Sequence, residues 1–298
     1  GHGMIWTMSK EYLIALLQVI VSILIWSASF VATKFSYDVF TPLVLCFIRF
    51  FAASVVLLLL QMTCNRGKKL PPEDRRAVMI SGLSGVTIYY SFENVGLSLT
   101  SAANASVITA VYPVMTILLG VLFFHERVPF RQLFGILTAV AGIIVVTYTN
   151  VEGESSSLIG NLLLIANGFN WGMYNYEVQK VSQKTDSLSL TCYQTLYGSL
   201  FLLPALLLEA PFQVGVLTTR AVLSILFLIF GCSIGAYFLY NEGLRHISAV
   251  SAASVLNLMP VFGLFFSAVL LKEAITARQI VGCIAVMAGV MLSAYAKK

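Results

Sequence analysis

The sequence predicts an all-α membrane protein in which ten transmembrane helices form two inverted five-helix repeats. Three observations predict this fold class. The chain is too apolar for a soluble domain, its apolar residues fall into runs of about 20, and one long segment occurs twice. The distribution of lysine and arginine then predicts how the two repeats are oriented.

The composition indicates a membrane protein. Of the 298 residues, 58% are hydrophobic and 10% are charged, whereas a soluble domain carries roughly 25% charged residues. A soluble core could not hide so much apolar surface, so part of it faces lipid. The five cysteines are scattered without a C-x-x-C pair, which predicts unpaired thiols. The net charge of +5 is small and does not indicate nucleic-acid binding.

Ten apolar runs are long enough to cross the hydrocarbon layer of a bilayer, which is ~30 Å thick and needs ~20 apolar residues. Connections are mostly short, so successive helices are expected to be antiparallel neighbours. The connection at 150–157 is longer and polar, and it divides the chain. We therefore expect repeats at 9–150 and 151–298, after a tag and disordered start at 1–8. The predicted spans are 12–33, 41–63, 76–97, 101–124, 130–149, 158–180, 188–209, 219–243, 248–271 and 276–296.

The repeat is clearest in the last two spans of each half. Residues 101–148 align without a gap on residues 248–295 at an offset of 147, and 12 of the 48 positions are identical. A repeat of this length indicates two related halves, which is a common plan of secondary transporters. Identical pairs include Ser101/Ser248, Pro113/Pro260, Glu126/Glu273, Gln132/Gln279 and Gly142/Gly289.

Lysine and arginine predict that both termini are cytoplasmic. With the N-terminus inside, 13 of the 18 basic residues lie at cytoplasmic ends or loops, 4 lie on the other side, and Arg49 lies within a span. Because each half has an odd number of spans, the second half enters the membrane from the opposite side. The repeats are therefore predicted to be inverted, which lets one site face either side in turn.

Two charged residues within predicted spans are candidate site residues. Arg49 lies mid-span, where a charge costs at least ~2.5–3.5 kcal/mol and must face protein or water. It is either an anchor for an anion or carboxylate, or half of a structural ion pair. Glu93 lies one helical turn after Tyr89 on the same face. A low-dielectric cavity favours its neutral form, so Glu93 could exchange protons, bind an amine, or simply lie at the membrane interface.

The sixth span carries a polar stripe. Asn167, Asn170, Tyr174 and Glu177 recur every three or four residues, with Trp171 beside them. Such a stripe avoids lipid, so it lines a cavity or seals against another helix. Aromatic rings mixed with a few polar groups suit a drug-sized, amphipathic or cationic ligand, although most aromatic residues would simply pack. The other candidate residues are Trp26, Tyr112, Tyr237, Asn241 and Asn257.

Three paired features have structural interpretations. Pro113 and Pro260, near the middle of the fourth and ninth spans, would kink the helix and could act as hinges. Glu126 and Glu273 precede the fifth and tenth spans, whose positive ends they could complement. Stripes of small residues would let helices approach closely. These stripes are Gly135, Ala139 and Gly142 in one half, and Gly282, Ala285 and Gly289 in the other.

Enzyme signatures are absent from the sequence. It contains no Walker loop, so ATP is not expected to drive the protein, and no G-x-S-x-G or H-E-x-x-H motif. The histidines His125 and His246 lie at predicted helix ends, and their spacing cannot build a metal site. We therefore expect no enzyme activity, no cofactor and no metal.

These features resemble the drug/metabolite transporter superfamily, in particular its ten-helix branch of two EamA domains. The resemblance rests on Trp26 followed by Lys34, on Pro42 with Arg49 and Phe50, and on the paired proline, glutamate, glutamine and glycine positions of the repeat. It covers the chain after the tag. It implies that helices 1–4 and 6–9 surround a central cavity, and that helices 5 and 10 brace it from outside.

The resemblance also implies a secondary transporter that works by alternating access, since family members move amino acids, other metabolites, amines and drugs, often outward and often by proton exchange. We expect an exporter of a small amphipathic metabolite in a bacterial or archaeal plasma membrane, with Glu93 as the first candidate for proton coupling. The alternatives are an uncoupled facilitator or exchanger, a lipid-handling protein, and a membrane enzyme. Expected partners are the substrate, membrane lipid and protons, with no nucleic acid, in a monomer or homodimer.

Overall fold

Most of the residues in the part of the chain that the structure describes are helical. Within that part, β-structure is limited to one isolated bridge between Phe40 and Val214, which confirms the all-α prediction. The five cysteines are unpaired, as predicted. The structure is a computed structural model that describes residues 10–66, 68–125, 129–147, 155–247, 249, 252, 255, 256 and 258–295.

The described residues of the first half form five helical stretches. Pro42 begins the second stretch, at a position where its missing N–H leaves no hydrogen bond unmade. The stretches are α1 (Lys10–Ser36), α2 (Pro42–Cys64), α3 (Arg75–Gly82, a π-helical segment Leu83–Ile88, and Tyr89–Leu99), α4 (Ala102–Thr109 and Tyr112–Phe124) and α5 (Phe130–Thr147).

The second half repeats this order within its described residues. Asp186 caps the second helix of this half by accepting a hydrogen bond from the Ser189 N–H. The stretches are α6 (Ser155–Val181), α7 (Ser187–Phe201, Leu203–Leu206 and a 3-10 turn Leu207–Glu209), α8 (Thr219–Leu226, a π-helical segment Phe227–Ala236, and Tyr237–Gly243), α9 (Leu258–Leu270) and α10 (Ala277–Tyr295).

Four helices in the described part of the chain are long and apolar enough to cross a membrane by themselves, and the bent α4 could be a fifth. The polar residues of α3 and α6 lower their apolar character, and the apolar parts of α5, α9 and α10 are shorter. The protein is thus a multi-pass membrane protein, and the count of ten spans stays a prediction. The four helices are Lys10–Ser36, Pro42–Cys64, Ser187–Glu209 and Thr219–Gly243.

A π-helical segment interrupts both α3 and α8. Under the offset of 147 from the sequence repeat, Leu83–Ile88 falls on residues 230–235, inside Phe227–Ala236. Such segments break the regular hydrogen-bond ladder and occur frequently at functional sites. Here the two segments directly precede Tyr89 and Tyr237, so equivalent irregular turns position aromatic residues in both halves.

The axis of α4 bends by 41° between its two parts. Pro113 is in the first turn after the bend, where its ring removes an N–H from the helix. The bend therefore lies where the sequence predicted a kink, while the role of Pro113 as a hinge stays a prediction. Pro260 lies in the first turn of the described part of α9.

Helices α5 and α10 pack against each other through their small residues. A Cβ atom at Gly142 would lie 2.8 Å from the carbonyl oxygen of Gly282, and one at Gly289 would lie 2.5 Å from that of Gly135. Only glycine permits backbones to come this close. The small-residue stripes therefore join the fifth helix of one half to the fifth helix of the other.

Glu209 links the two halves at the upper face, which we define as the face where α1 ends. Its carboxylate accepts hydrogen bonds from the N–H groups of Leu43 (3.0 Å) and Val44 (3.0 Å), and from the hydroxyl of Thr41 (2.5 Å). These groups lie at the start of α2, where backbone N–H groups have no helical partner and the helix end is positive. The end of α7 thereby caps a helix of the other half.

Glu273 also links the two halves, because it caps the start of α4. Its carboxylate accepts hydrogen bonds from the N–H groups of Ala102 (3.1 Å) and Ala103 (3.0 Å). The prediction that Glu273 complements the helix that follows it is therefore wrong, because the start of α4 in the other half presents its free N–H groups to this carboxylate. Glu126 lies outside the described residues.

Asp186 links the halves at the lower face, where α1 begins. Asn65, after the end of α2, donates a 2.7 Å hydrogen bond to its carboxylate, and Lys68 lies 3.3 Å away. Burial opposes ionisation of Asp186. The hydrogen bonds from Ser189, Asn65 and Lys68 outweigh that effect and hold the pKa of this carboxyl below its ordinary value. The two halves therefore contact each other at both faces.

Candidate functional site

A small cavity lies between the two halves. It offers about 10 Å³ to the centre of a water molecule, which is room for about one water. A metabolite could enter only if the walls moved apart, so the protein is in a closed conformation. The cavity is lined by Trp26, Ser29, Phe30, Tyr89, Tyr90, Glu93, Thr109, Trp171, Leu256 and Met259.

Aromatic rings from both halves form the wall of the cavity and the packing behind it. Trp26 of α1 and Trp171 of α6 meet edge to face with ring centroids 5.4 Å apart. Tyr89 lies 5.2 Å from Trp171, Tyr240 lies 5.3 Å from Trp26, and Tyr174 stacks on Trp171 at 4.8 Å. Ring faces attract cations, so this cluster suits a ligand with a positive group and an apolar body.

Glu93 is the acidic group of the cavity. It is 4% exposed, and Tyr89 donates a 3.1 Å hydrogen bond to its Oε1 atom. The spacing of these two residues predicted that they share a face of α3, and the structure brings them into direct contact. Among the described residues, no ion pair involves Glu93. No described lysine or arginine balances its charge at contact distance, and Arg49 attracts it only from farther away.

Arg49 lies behind the cavity wall rather than in it. Its Nε atom donates a 2.6 Å hydrogen bond to the Ser233 hydroxyl, and its guanidinium lies over the rings of Tyr90 (4.4 Å) and Phe50 (4.9 Å). The Nη1 atom is buried without a hydrogen-bond partner. Of the two sequence interpretations, an ion pair is not seen among the described residues, and cation–π contacts hold the charge instead.

A polar network below the aromatic cluster fixes Tyr174 and Asn241. The Tyr174 hydroxyl donates to Oδ1 of Asn241 and accepts a 3.0 Å hydrogen bond from Gln194. Asn241 in turn donates to the Thr191 hydroxyl (2.9 Å). Tyr237 packs on Trp26 at 5.1 Å. These predicted residues support the cavity from behind and do not line it.

Two residues of the predicted polar stripe point away from the cavity. Asn170 lines a groove on the outside of the bundle and donates a 3.0 Å hydrogen bond to Asn167. Glu177 forms a 2.7 Å ion pair with Lys180 near the end of α6. Because residues three apart on a helix differ by about 60° in direction, whereas residues seven apart nearly coincide, Asn167 and Tyr174 face inward together and Asn170 does not.

Two aromatic residues of the site were not singled out from the sequence. Tyr90 lines the cavity, and Tyr240 packs on Trp26 behind the cavity wall. They lie one and three positions from the predicted residues Tyr89 and Tyr237, and this adjacency was the available signal. Tyr112 is buried behind Tyr89, with ring centroids 6.2 Å apart. The predicted residue Asn257 lies outside the described residues.

This chain is similar to a known protein family and to several transporters. The model of the EamA-like transporter family matches twice, over residues 13–148 and 158–295. An "Uncharacterized transporter" of Archaeoglobus fulgidus is 32% identical over 288 residues, which cover 96% of this chain and 97% of the relative. A "Probable amino-acid metabolite efflux pump" of Salmonella typhimurium is 27% identical over 300 residues, which cover 96% and 95%.

A further relative and a solved structure are also similar to this chain over most of its length. A "Probable terminal-alkyne amino-acid exporter" of Streptantibioticus cattleyicolor is 25% identical over 280 residues, which cover 92% of this chain and 91% of the relative. A solved crystal structure superposes with a TM-score of 0.67 over 95% of this chain and 96% of its own, and at 19% identity it shows the shared fold. With both halves matched by one family model, the chain is a membrane transporter and belongs to the EamA-like transporter family.

Proposed function

We propose that this transporter exports a small amphipathic metabolite that carries an amine, such as an amino acid, and that Glu93 couples export to protons. Relatives named as an amino-acid metabolite efflux pump and an amino-acid exporter support this substrate class. The repeats, taken as 9–150 and 151–298, are proposed to be inverted. Both termini are then cytoplasmic, in the plasma membrane of a bacterium or archaeon.

The proposal rests on the position of Glu93. Its carboxyl group lines the cavity, and Tyr89 is its one hydrogen-bond donor among the described residues. A buried carboxylate with no cation at contact distance is costly. It is stable when protonated or when an ammonium group lies beside it. A proton and an amine therefore compete for the same group, which provides a simple basis for exchange.

The aromatic rings support an amphipathic substrate. Trp26, Trp171 and Tyr89 present ring surface next to the carboxyl group of Glu93. Apolar and aromatic linings with a few placed polar groups are typical of small-molecule sites. An amine near Glu93 would be attracted to the same rings, and this attraction is worth ~2 kcal/mol or more when the amine is desolvated.

Alternating access fits the contacts at the two faces. Glu209 and Glu273 join the halves at the upper face, and Asp186 joins them at the lower face. If one set of contacts breaks while the other persists, the cavity opens to one side only. The closed structure would then be an intermediate of the cycle, with the lower face cytoplasmic in the proposed orientation.

Transport in proteoliposomes tests this function. The reconstituted protein is screened for counterflow of radiolabelled amino acids and primary amines, and an accepted compound is then followed with and without a pH gradient. We expect the gradient to drive transport in the native protein. We expect Glu93→Gln to abolish that response, because glutamine cannot take up a proton.

Glu73→Gln is the matched control, since Glu73 is an exposed carboxylate ahead of α3 and should leave the response intact. An unchanged pH response in Glu93→Gln would remove Glu93 from the coupling role. A native protein that ignores the gradient would be an uncoupled facilitator or exchanger. If no compound is exchanged and only lipids raise the thermal stability, the lipid-handling alternative replaces the proposal.

A further inference from the structure

An open groove runs along α3 at the lower face, away from the central cavity. Its volume is about 420 Å³, and its walls come from α3, from α7 and from the connection before α3. Met79, Leu83 and Phe201 make most of its surface apolar, while Arg75 and Arg76 lie at its lower end. The groove therefore combines an apolar trough with two positive groups.

The two arginines have no anionic partner among the described residues. Both are exposed, and neither takes part in an ion pair there. The nearest carboxylate in sequence, Asp74, is buried and accepts a 2.7 Å hydrogen bond from Thr185, in the other half. The guanidinium groups are thus available to an external anion, and planar guanidinium suits a phosphate.

The dimensions match those of a phospholipid. Eight residues separate Arg75 from Leu83, which is about 12 Å along the helix axis. An anion bound at the arginines would therefore lie at the level of lipid headgroups, with the apolar part of the groove reaching into the hydrocarbon layer. Arg66, Lys68 and Lys69 in the preceding connection add positive charge at the same face.

A second groove continues the apolar surface on the other side of α3. Its volume is about 430 Å³, and it shares Ile80 and Leu83 with the first groove while extending to Leu122 of α4 and Phe169 of α6. A molecule with two hydrocarbon chains could place one chain in each groove, astride α3. A free phosphate or a soluble metabolite would leave both apolar surfaces uncovered.

We propose that these grooves bind one anionic phospholipid, with its phosphate on Arg75 and Arg76 and its acyl chains along Met79, Leu83 and Phe201. The lipid would lie against the helix that carries Tyr89 and Glu93, so its presence would stabilise that helix in the bundle. This site is separate from the substrate cavity and does not depend on which compound the protein transports.

Native mass spectrometry of the purified protein in detergent tests the site. Dioleoyl phosphatidylglycerol and dioleoyl phosphatidylcholine are titrated separately, and the fraction of protein with one bound lipid gives the affinity. We expect the native protein to prefer phosphatidylglycerol. Because basic residues near the membrane surface attract anionic lipids, losing both arginines in Arg75→Gln/Arg76→Gln should lower phosphatidylglycerol affinity by about 30-fold.

Arg66→Gln/Lys69→Gln is the matched control, because it removes the same charge from the same face outside the grooves. It should retain most of the preference for phosphatidylglycerol. An equal loss in both double variants would mean that the face attracts anions generally, and would overturn the site. No loss in Arg75→Gln/Arg76→Gln would overturn it as well.

The apolar part is tested with Leu83→Trp, which fills the surface shared by the two grooves. Leu59→Trp, at an exposed position of α2, is the control and should bind lipid as the native protein does. We expect Leu83→Trp to weaken phosphatidylglycerol binding while remaining monodisperse. If it binds lipid normally, or if glycerol 3-phosphate at millimolar concentration displaces the lipid, the acyl chains do not use these grooves and the proposal is wrong.

Discussion

The hydroxyl of Tyr237 in α8 donates a 2.6 Å hydrogen bond to the carbonyl oxygen of Gly85 in α3. Gly85 lies within the π-helical segment of α3, and Tyr237 directly follows the π-helical segment of α8. The irregular turns of the two halves are thus bonded to each other next to the aromatic cluster. A carbonyl group at a break in the helical ladder finds its partner across the interface.

Tyr237→Phe should destabilise the closed conformation. The change removes the hydroxyl and leaves the buried Gly85 carbonyl without this donor, which costs about 1–3 kcal/mol. We expect a lower midpoint of thermal unfolding in detergent. Tyr193→Phe is the control, because the hydroxyl of Tyr193 bonds to Lys68 in an exposed position where water can replace it. Equal midpoints for Tyr237→Phe and the native protein would contradict this role.

Gly85→Ala should be more disruptive. A Cβ atom there would lie 2.1 Å from the ring of Tyr174, which stacks on Trp171. We expect loss of transport and a lower unfolding midpoint, because the ring must leave its stacked position. Gly235→Ala, whose Cβ would meet its nearest atom at 3.3 Å, should be mild. Since residues in contact couple, adding Tyr174→Ala should restore part of the stability lost in Gly85→Ala, and purely additive losses would refute the clash.

Glu209→Gln should loosen the upper face. The neutral amide loses the charge that complements the start of α2, at a cost of roughly 1 kcal/mol, which corresponds to about a fivefold change in an equilibrium. In a cysteine-free background carrying Ser29→Cys in the cavity, we expect faster labelling by a membrane-impermeant thiol reagent added at the upper face. Glu11→Gln, at the lower end of α1, should have no effect. Labelling that is unchanged or slower in Glu209→Gln would refute the prediction.

Asp186 should make stability depend on pH. Its pKa is lowered from the ordinary value of 3.8, so its contribution is fully present above that value and is lost as the pH falls towards the lowered pKa. Asp186→Asn keeps a good capping residue but removes the charge. We expect the native protein to unfold at a higher temperature than Asp186→Asn at pH 7, with the difference shrinking below about pH 3.8.

Asp38→Asn is the comparison for this effect. It breaks an exposed ion pair with Arg220, and such pairs contribute ~0–1 kcal/mol. Its midpoint should therefore stay close to that of the native protein at all pH values. A difference between native protein and Asp186→Asn that does not change between pH 7 and pH 3 would show that the charge of Asp186 is not involved.

The sequence predicted contacts within a helix better than contacts between helices. The spacing of Tyr89 and Glu93 is a property of any α-helix, and the hydrogen bond between them followed from it. The partner of Arg49 did not follow, because Ser233 is 184 positions away and the contact depends on how α2 and α8 are rotated about their axes. The same reason explains why Asn170, on a correctly predicted helix, faces outward.

The sequence pattern also did not predict where the helices would be irregular. The π-helical segments in α3 and α8 are accompanied by tertiary contacts such as that of Tyr237 with Gly85, which no local motif encodes. The contact made by Glu273 was also not predicted from the sequence. The sequence relates the carboxylate to the nearest helix along the chain, whereas the folded chain presents the start of α4 to it. The repeat itself, read directly from identical positions, was matched by the family model in both halves.

The small size of the central cavity has a consequence for the energy balance of the cell. A file of hydrogen-bonded waters across a ~30 Å hydrocarbon layer needs roughly ten molecules at ~2.8 Å spacing. The cavity between Trp26 and Trp171 has room for about one. A transporter closed in this way has no room for a continuous file of water in this cavity. Many copies could therefore stand idle in the membrane without discharging the membrane potential.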